Sequence, residues 1–140
     1  IYEFFNFKDL SNNKRDIIRN LAIDFDLIFK KSEFNNWLNK DLGDNGSTLS
    51  GGQRQRLNII KVLIEDKPFI IFDEATSALD SSMDKKVIDK ILDFCENKFI
   101  ILITHRPENV DINRINKSIK ICNSSINNNV KKVVQFSKLN

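Results

Sequence analysis

Apolar residues recur along this chain at two spacings, and the change of spacing marks the elements. Ile17, Ile18, Leu21, Ala22 and Phe25 repeat at helical intervals after the helix-start signal Ser11-Asn12-Asn13. Phe34, Trp37 and Leu38 predict a second helical segment over 32–38, with Trp37 as a core or interface aromatic. Leu57, Ile60, Leu63 and Ile64 predict a third helix over 50–66, with Ser50 as its N-cap. Val87, Ile88, Ile91, Leu92 and Cys95 predict a fourth ending near Asn97. It is opened by Ser81-Ser82-Met83-Asp84, a capping-box pattern with Asp in the acidic place. Residues 69–72 and 99–103 are unbroken apolar runs, the pattern of strands buried on both faces.

Pro68 cannot continue the third helix and permits the strand after it. Strand, helix, strand in that order predicts parallel neighbours joined by a right-handed crossover, hence an α/β fold. Asp73, Glu74 and His105 then emerge at the carboxyl ends of adjacent strands, where open α/β sheets place their ligand crevices. Beyond His105, residues 119–122 and 130–134 read as two short edge strands joined by a polar Asn-Ser-rich loop. Residues 1–10 are apolar and aromatic in no clear period, and are expected to be a linker or a severed element.

Composition narrows the class without naming a function. With 140 residues, 41% of them hydrophobic, the chain is the size of one domain with a real core. The net charge is +3 and the basic residues are spread out, which leaves no nucleic-acid footprint. Cys95 and Cys122 have no metal-like spacing and fit a reduced, cytosolic protein. Apolar runs are too short to span a membrane, and the N-terminus lacks the pattern of a signal peptide. A start at Ile1 rather than methionine is expected of a chain processed, trimmed or excised from something longer. Heavy use of Asn, Ile, Lys and Phe, including Asn127-Asn128-Asn129, is put down to A/T-rich coding.

The candidate chemistry sits where the glycines are. All four, Gly43, Gly46, Gly51 and Gly52, fall inside ten residues, and the last pair opens the third helix. Free N–H groups and the positive end of a helix dipole then face outward with no side chains in the way, a surface that binds phosphate.

Four motifs follow in order. Leu49-Ser50-Gly51-Gly52-Gln53 resembles the signature motif of the ATP-binding cassette (ABC) ATPases. Ile70-Ile71-Phe72-Asp73-Glu74 resembles their Walker B strand, Ser77-Ala78-Leu79-Asp80 their D-loop, and His105, within Thr104-His105-Arg106, their switch histidine. The resemblance covers roughly residues 40–106. It implies a partial P-loop NTPase core of RecA-like type with parallel strands, joined to part of a helical subdomain. On it, 11–66 would belong to the helical subdomain and 67–140 to the C-terminal part of the catalytic core.

It further implies ATP and Mg²⁺ as cofactors. Asp73 would hold the Mg²⁺ largely through water, Glu74 would act as general base on the attacking water, and His105 would order that water or touch the γ-phosphate. Leu49, Ser50, Gly51, Gly52 and Gln53 would face the nucleotide held by the opposite subunit, and Asp80 would bridge the subunits. The plainer alternatives are a capped helix start at Ser50, a turn residue at Asp80, a surface carboxylate at Glu74, a structural histidine at His105 and a solvent-facing Gln53. Gly43-Asp44-Asn45-Gly46 resembles the acidic segment before the signature in exporters, with Asp44 where Glu is usual. The region after Gly52 lacks the glycine that related domains usually carry near the last strands.

One half of the family's machinery is missing from the sequence. No glycine precedes Gly43 and none is followed by lysine, so there is no Gly-x-x-x-x-Gly-Lys-Ser/Thr P-loop. No glutamine precedes Gln53, so the Q-loop is absent too. The expected function is therefore the C-terminal half of a transporter's nucleotide-binding domain, inactive as an ATPase alone. It would work at the cytoplasmic face of a membrane with a transmembrane domain and a second nucleotide-binding domain in a head-to-tail dimer, and without nucleic acid. An SMC-type DNA-maintenance ATPase is a second possibility, and a non-catalytic remnant that only binds a partner subunit a third. Missing core strands would leave a sheet edge that aggregates or is covered by a partner.

Overall fold

A computed structural model describes residues 1–126 and 129–138, in two compact units, Ile1–Val110 and Asp111–Asn140. The first unit holds α1 (Asn12–Asp24), α2 (Phe34–Leu38), α3 (Gly51–Glu65), β1 (Phe69–Asp73), α4 (Ser81–Phe94) and β2 (Phe99–Ile103). The second holds β3 (Lys117–Ile126) and β4 (Asn129–Lys138). No helix among the described residues is long and apolar enough to cross a membrane.

Ser11 caps α1 by accepting a hydrogen bond from the Lys14 amide, and Ile18, Leu21, Ala22 and Phe25 are buried along one face. α3 packs on α1, and its Leu57, Ile60 and Leu63 belong to the same core cluster as the buried face of α1. α2 is shorter than the apolar spacing suggests because Lys31–Glu33 form a 3₁₀ turn before it.

Residues 1–10 are not a loose linker. Ile1, Phe5 and Phe7 are buried in the core, and the Tyr2 amide donates to the Leu38 carbonyl at 2.9 Å. Phe5 meets Trp37 with ring centroids 6.2 Å apart, and Phe7 meets Phe34 at 5.9 Å. Such a segment shows no period because its backbone is irregular and its side chains converge on one spot through turns.

β1 and β2 pair in parallel, with Phe69 opposite Phe99 and Asp73 opposite Ile103, as the strand–helix–strand order predicts. Burial on both faces does not follow. Ile70 and Phe72 point into the core, whereas Phe69, Ile71, Phe99, Ile101 and Ile103 line up on an open face, and the Phe69 and Phe99 rings lie 5.5 Å apart. The apolar run is that of a covered parallel sheet, and the helices among the described residues cover one side.

α4 also starts differently. Its N-cap is Asp80, not Ser81, and Asp84 is fully buried rather than placed in a capping box. Val87, Ile88, Ile91, Leu92 and Cys95 are buried as their spacing predicts. In the second unit β3 and β4 run antiparallel from the Lys117–Lys138 pair to the Ile126–Asn129 pair. Both outrun the predicted strands, and in β3 the excess takes in Asn123, Ser124 and Ser125, residues of low or middling β propensity. Of the predicted loop, Asn127 and Asn128 lie outside the described residues.

Candidate functional site

The parallel pair delivers two side chains to one place. Past Asp73 the Glu74 amide donates to the Ile103 carbonyl at 3.0 Å, extending the ladder by one rung. Glu74 itself has φ 46°, in the left-handed region that costs a non-glycine residue about 1 kcal/mol or more. Two residues beyond Ile103 the chain reaches His105, whose Nε2 lies 2.6 Å from Glu74 Oε1, the imidazole N–H donating to the carboxylate. The His105 side chain is 80% exposed and that of Glu74 44%, so the pair is open to a ligand. Glu74, Thr76, Ser77, Asp84, Thr104, His105 and Arg106 line a cavity of about 140 Å³.

Asp73 is exposed at the strand end, and its carboxylate makes no hydrogen bond or ion pair among the described residues. No group of three or more metal-binding side chains occurs among those residues. A lone free carboxylate suits Mg²⁺, which keeps most of its waters and is held by one or two carboxylates plus substrate phosphates.

The start of α3 forms a second group. The Ser50 hydroxyl accepts from the Gln53 amide at 3.2 Å, and Gln53 Oε1 accepts from the Ser50 amide at 3.0 Å, a complete capping box. Gln53 is therefore not merely solvent-facing, and the Ser50 N–H is already used. What stays free at this helix end is the Gly51 and Gly52 N–H groups and the Ser50 hydroxyl proton. Leu49 is packed against the core and anchors the loop rather than offering a polar contact.

Gly52 has a packing reason as well. A Cβ there would sit 3.1 Å from Leu79 Cδ2 and 3.3 Å from the Ala78 carbonyl oxygen, so glycine lets the 77–80 turn lie against the helix start. Gln55 fixes that turn, its Nε2 donating to Ser77 Oγ at 3.0 Å and its Oε1 accepting from the Ala78 amide at 2.9 Å. Sequence reasoning passed over Gln55. Its place three residues after Gly52, on the same side of the helix, is the signal that could have found it. Gly43 and Gly46, at φ 63° and 74°, bend the preceding loop, with the Gly43 amide on Asp41 Oδ1. Asp44 lies exposed in the 3₁₀ turn Asp44–Gly46.

Asp80 Oδ1 accepts from the Met83 amide at 3.0 Å. That backbone hydrogen bond is the main cause holding the carboxyl below the ordinary aspartate range. A depressed folded pKa contributes stability that is present above the unfolded pKa and is lost as pH falls through the folded one. The stability gap between the native chain and Asp80→Ala is accordingly expected to be constant near neutrality and to close below the ordinary aspartate range. Urea midpoints measured between pH 6 and pH 2.5 check this, and a gap independent of pH counts against the charged cap.

The structure thus brings Glu74 and His105 together and sets Ser50–Gln53 beside the turn that ends in Asp80. Within this chain the hydrogen bonds of Ser50 and Gln53 stay at their own helix start and do not reach Glu74 or His105.

Part of this chain is similar to known proteins. The ABC transporter family model matches residues 3–77, a span that takes in Phe5 and Phe7 as well as Ser50–Gln53, Asp73 and Glu74. The ATP-dependent lipid A-core flippase of Vibrio vulnificus (strain YJ016) is 40% identical over 80 residues, 57% of this chain and 14% of the flippase. ATP-dependent lipid A-core flippase 1 of Colwellia psychrerythraea is 43% identical over 74 residues, 53% of this chain and 12% of that protein. The flippase of Francisella tularensis subsp. holarctica (strain OSU18) is 42% identical over 79 residues, 56% and 13% of the two chains. The chain therefore spans about one-seventh or less of these relatives. With a family model matching more than half of its residues, over the α3 start and the β1 end, the chain belongs to the ABC transporter family.

Proposed function

We propose that this chain is the distal part of the nucleotide-binding domain of an ABC exporter and supplies the hydrolytic side of an ATPase site. The observation that carries the reading is the 2.6 Å pair of Glu74 Oε1 and His105 Nε2 at the ends of neighbouring parallel strands. Glu74 is the general base, taking a proton from the water that attacks the γ-phosphate. His105 holds the Glu74 carboxylate in place and, through its exposed ring, reaches the γ-phosphate or that water. Asp73 would hold Mg²⁺, largely through water. When bound, the ion neutralises charge on the phosphate oxygens.

At the other group, the Gly51 and Gly52 amides, the Ser50 hydroxyl and the positive helix end receive the γ-phosphate of a nucleotide carried by a second domain, head to tail with this one. Leu49 and Gln53 shape that loop. Asp80, at the tip of the 77–80 turn, lies where such a second domain would meet it. Residues 11–66 act as part of the helical subdomain and 67–140 as part of the catalytic core, with Gly43–Gly46 toward a transmembrane domain at the cytoplasmic face. Relatives named as flippases favour export over DNA maintenance.

The sequence has no P-loop lysine, so the chain alone is expected to show no ATP turnover. Mixed with a polypeptide carrying the family's P-loop half, it is expected to give Mg²⁺-dependent phosphate release. Turnover by the chain alone, or none in the complemented domain despite complex formation, would refute this assignment.

A further inference from the structure

Among the described residues the His105 ring is held by one side chain, that of Glu74, so its aim depends on the backbone between Thr104 and Arg106. That backbone is tied down by contacts other than Glu74. Arg106 Nη1 donates to the Leu79 carbonyl at 2.7 Å, and the Arg106 amide donates to Thr104 Oγ1 at 2.9 Å. The same Nη1 lies 3.8 Å from Asp84 Oδ2. Asn109 Nδ2 donates to that oxygen, and the Ser81 hydroxyl donates to Asn109 Oδ1 at 3.2 Å.

Asp84 is fully buried and Asn109 nearly so, and Asp84 Oδ1 has no hydrogen-bond partner among the described residues. A buried carboxylate this sparsely bonded is costly unless a cation compensates it. Among the described residues Arg106 is the cation within ion-pair reach. Asp84 and Arg106 also wall the cavity into which Glu74 and His105 face. The group thus joins the first turn of α4, the 77–80 turn and the segment after His105.

We propose that Arg106, anchored by Asp84 and Asn109, is a positioning residue that fixes His105 against Glu74 by pinning the segment after β2 to the Leu79 carbonyl. It touches no reacting atom. One guanidinium nitrogen, Nη1, donates to the Leu79 carbonyl and lies in ion-pair range of Asp84, and the rigid planar group fixes that direction better than a freely rotating ammonium would. The significance for hydrolysis rests on the reading of Glu74 and His105 given above. The geometric statement does not, because the pair forms within this chain.

Two unique residues provide the test. His105 is the only histidine, so its imidazole resonances are unambiguous, and Trp37, the only tryptophan, reports the core. The experiment is NMR of the 140-residue chain without nucleotide, with Glu74→Ala setting the displacement of the His105 resonances when its partner is removed. Arg106→Ala is expected to give at least half that displacement with Trp37 emission unmoved. Arg106→Lys, which keeps a donor for the Leu79 carbonyl, is expected to give less than half. His105 resonances unmoved in a folded Arg106→Ala chain overturn the proposal. If that variant unfolds, Asn109→Ala, which loosens Asp84 and leaves Arg106 in place, decides instead. A smaller displacement in the same direction supports the proposal, and none overturns it. ATPase assays of the complemented domain fail or succeed separately, so loss of the hydrolytic reading leaves this result standing.

Discussion

Glu74→Gln in a domain completed by a P-loop half is expected to lower kcat by roughly 10²–10⁴, the range of a positioned general base. Glutamine keeps the shape and can still meet His105, but it cannot accept the water's proton. KM for ATP is expected to change little, because Glu74 contributes to the transition state rather than to nucleotide affinity. The left-handed backbone at this position supplies an independent check. Glu74 holds φ 46° where a glycine would be unstrained, so Glu74→Gly is expected to raise the stability of the chain by about 1 kcal/mol while removing activity. Thermal midpoints of the two variants against the native chain measure this. Native-like kcat in Glu74→Gln, or a destabilised Glu74→Gly, would remove Glu74 from the role proposed for it.

That strain was not legible in the sequence, although the residue was. Asp73 and Glu74 could be placed at a strand end because an apolar run after Pro68 has one reading, and His105 because a second such run precedes it. The parallel crossover then forces them to the same edge, and the register, Asp73 opposite Ile103, follows. The start of α3 was equally plain, since Ser50 is a good N-cap before an apolar stripe, although the return bond from Gln53 that completes its capping box was not read. What failed depends on contacts distant in sequence. Asp80 and Ser81 are both residue types that cap helices, and the Leu79 carbonyl just before them is held by Arg106, a contact across 27 residues. Phe5 and Phe7 show no period because Trp37 and Phe34, not a regular backbone, fix them. The open row from Phe69 to Ile103 could not be foreseen either: an apolar strand states that its faces are to be covered, not by what.

The fold beneath the site depends on one aromatic more than on any ion pair. Phe25 follows the last turn of α1, where the Asp26 amide reaches the Ile23 carbonyl at 3.0 Å and the Leu27 amide the Ala22 carbonyl at 2.8 Å. With Asp26 left-handed at φ 50°, this is a Schellman ending, and it drives the Phe25 ring into the core with no exposed surface. Around it α1 is also tied to α4 by Lys90–Asp24 at 2.9 Å, and the turn after α1 by Lys86–Asp26 at 3.0 Å. Those side chains are a third or more exposed, so each pair contributes under about 1 kcal/mol. Phe25→Ala is expected to cost about 3–5 kcal/mol, a large part of the 5–15 kcal/mol that holds a typical domain folded. Asp24→Asn should stay within about 1 kcal/mol. Urea titrations followed by Trp37 emission compare the two directly, and a Phe25→Ala midpoint no lower than that of Asp24→Asn would show the α1–α3 core to be less cooperative than its burial implies. Because α3 carries Ser50 at one end and leads into β1 at the other, loosening this core is expected to disturb both groups of the site together.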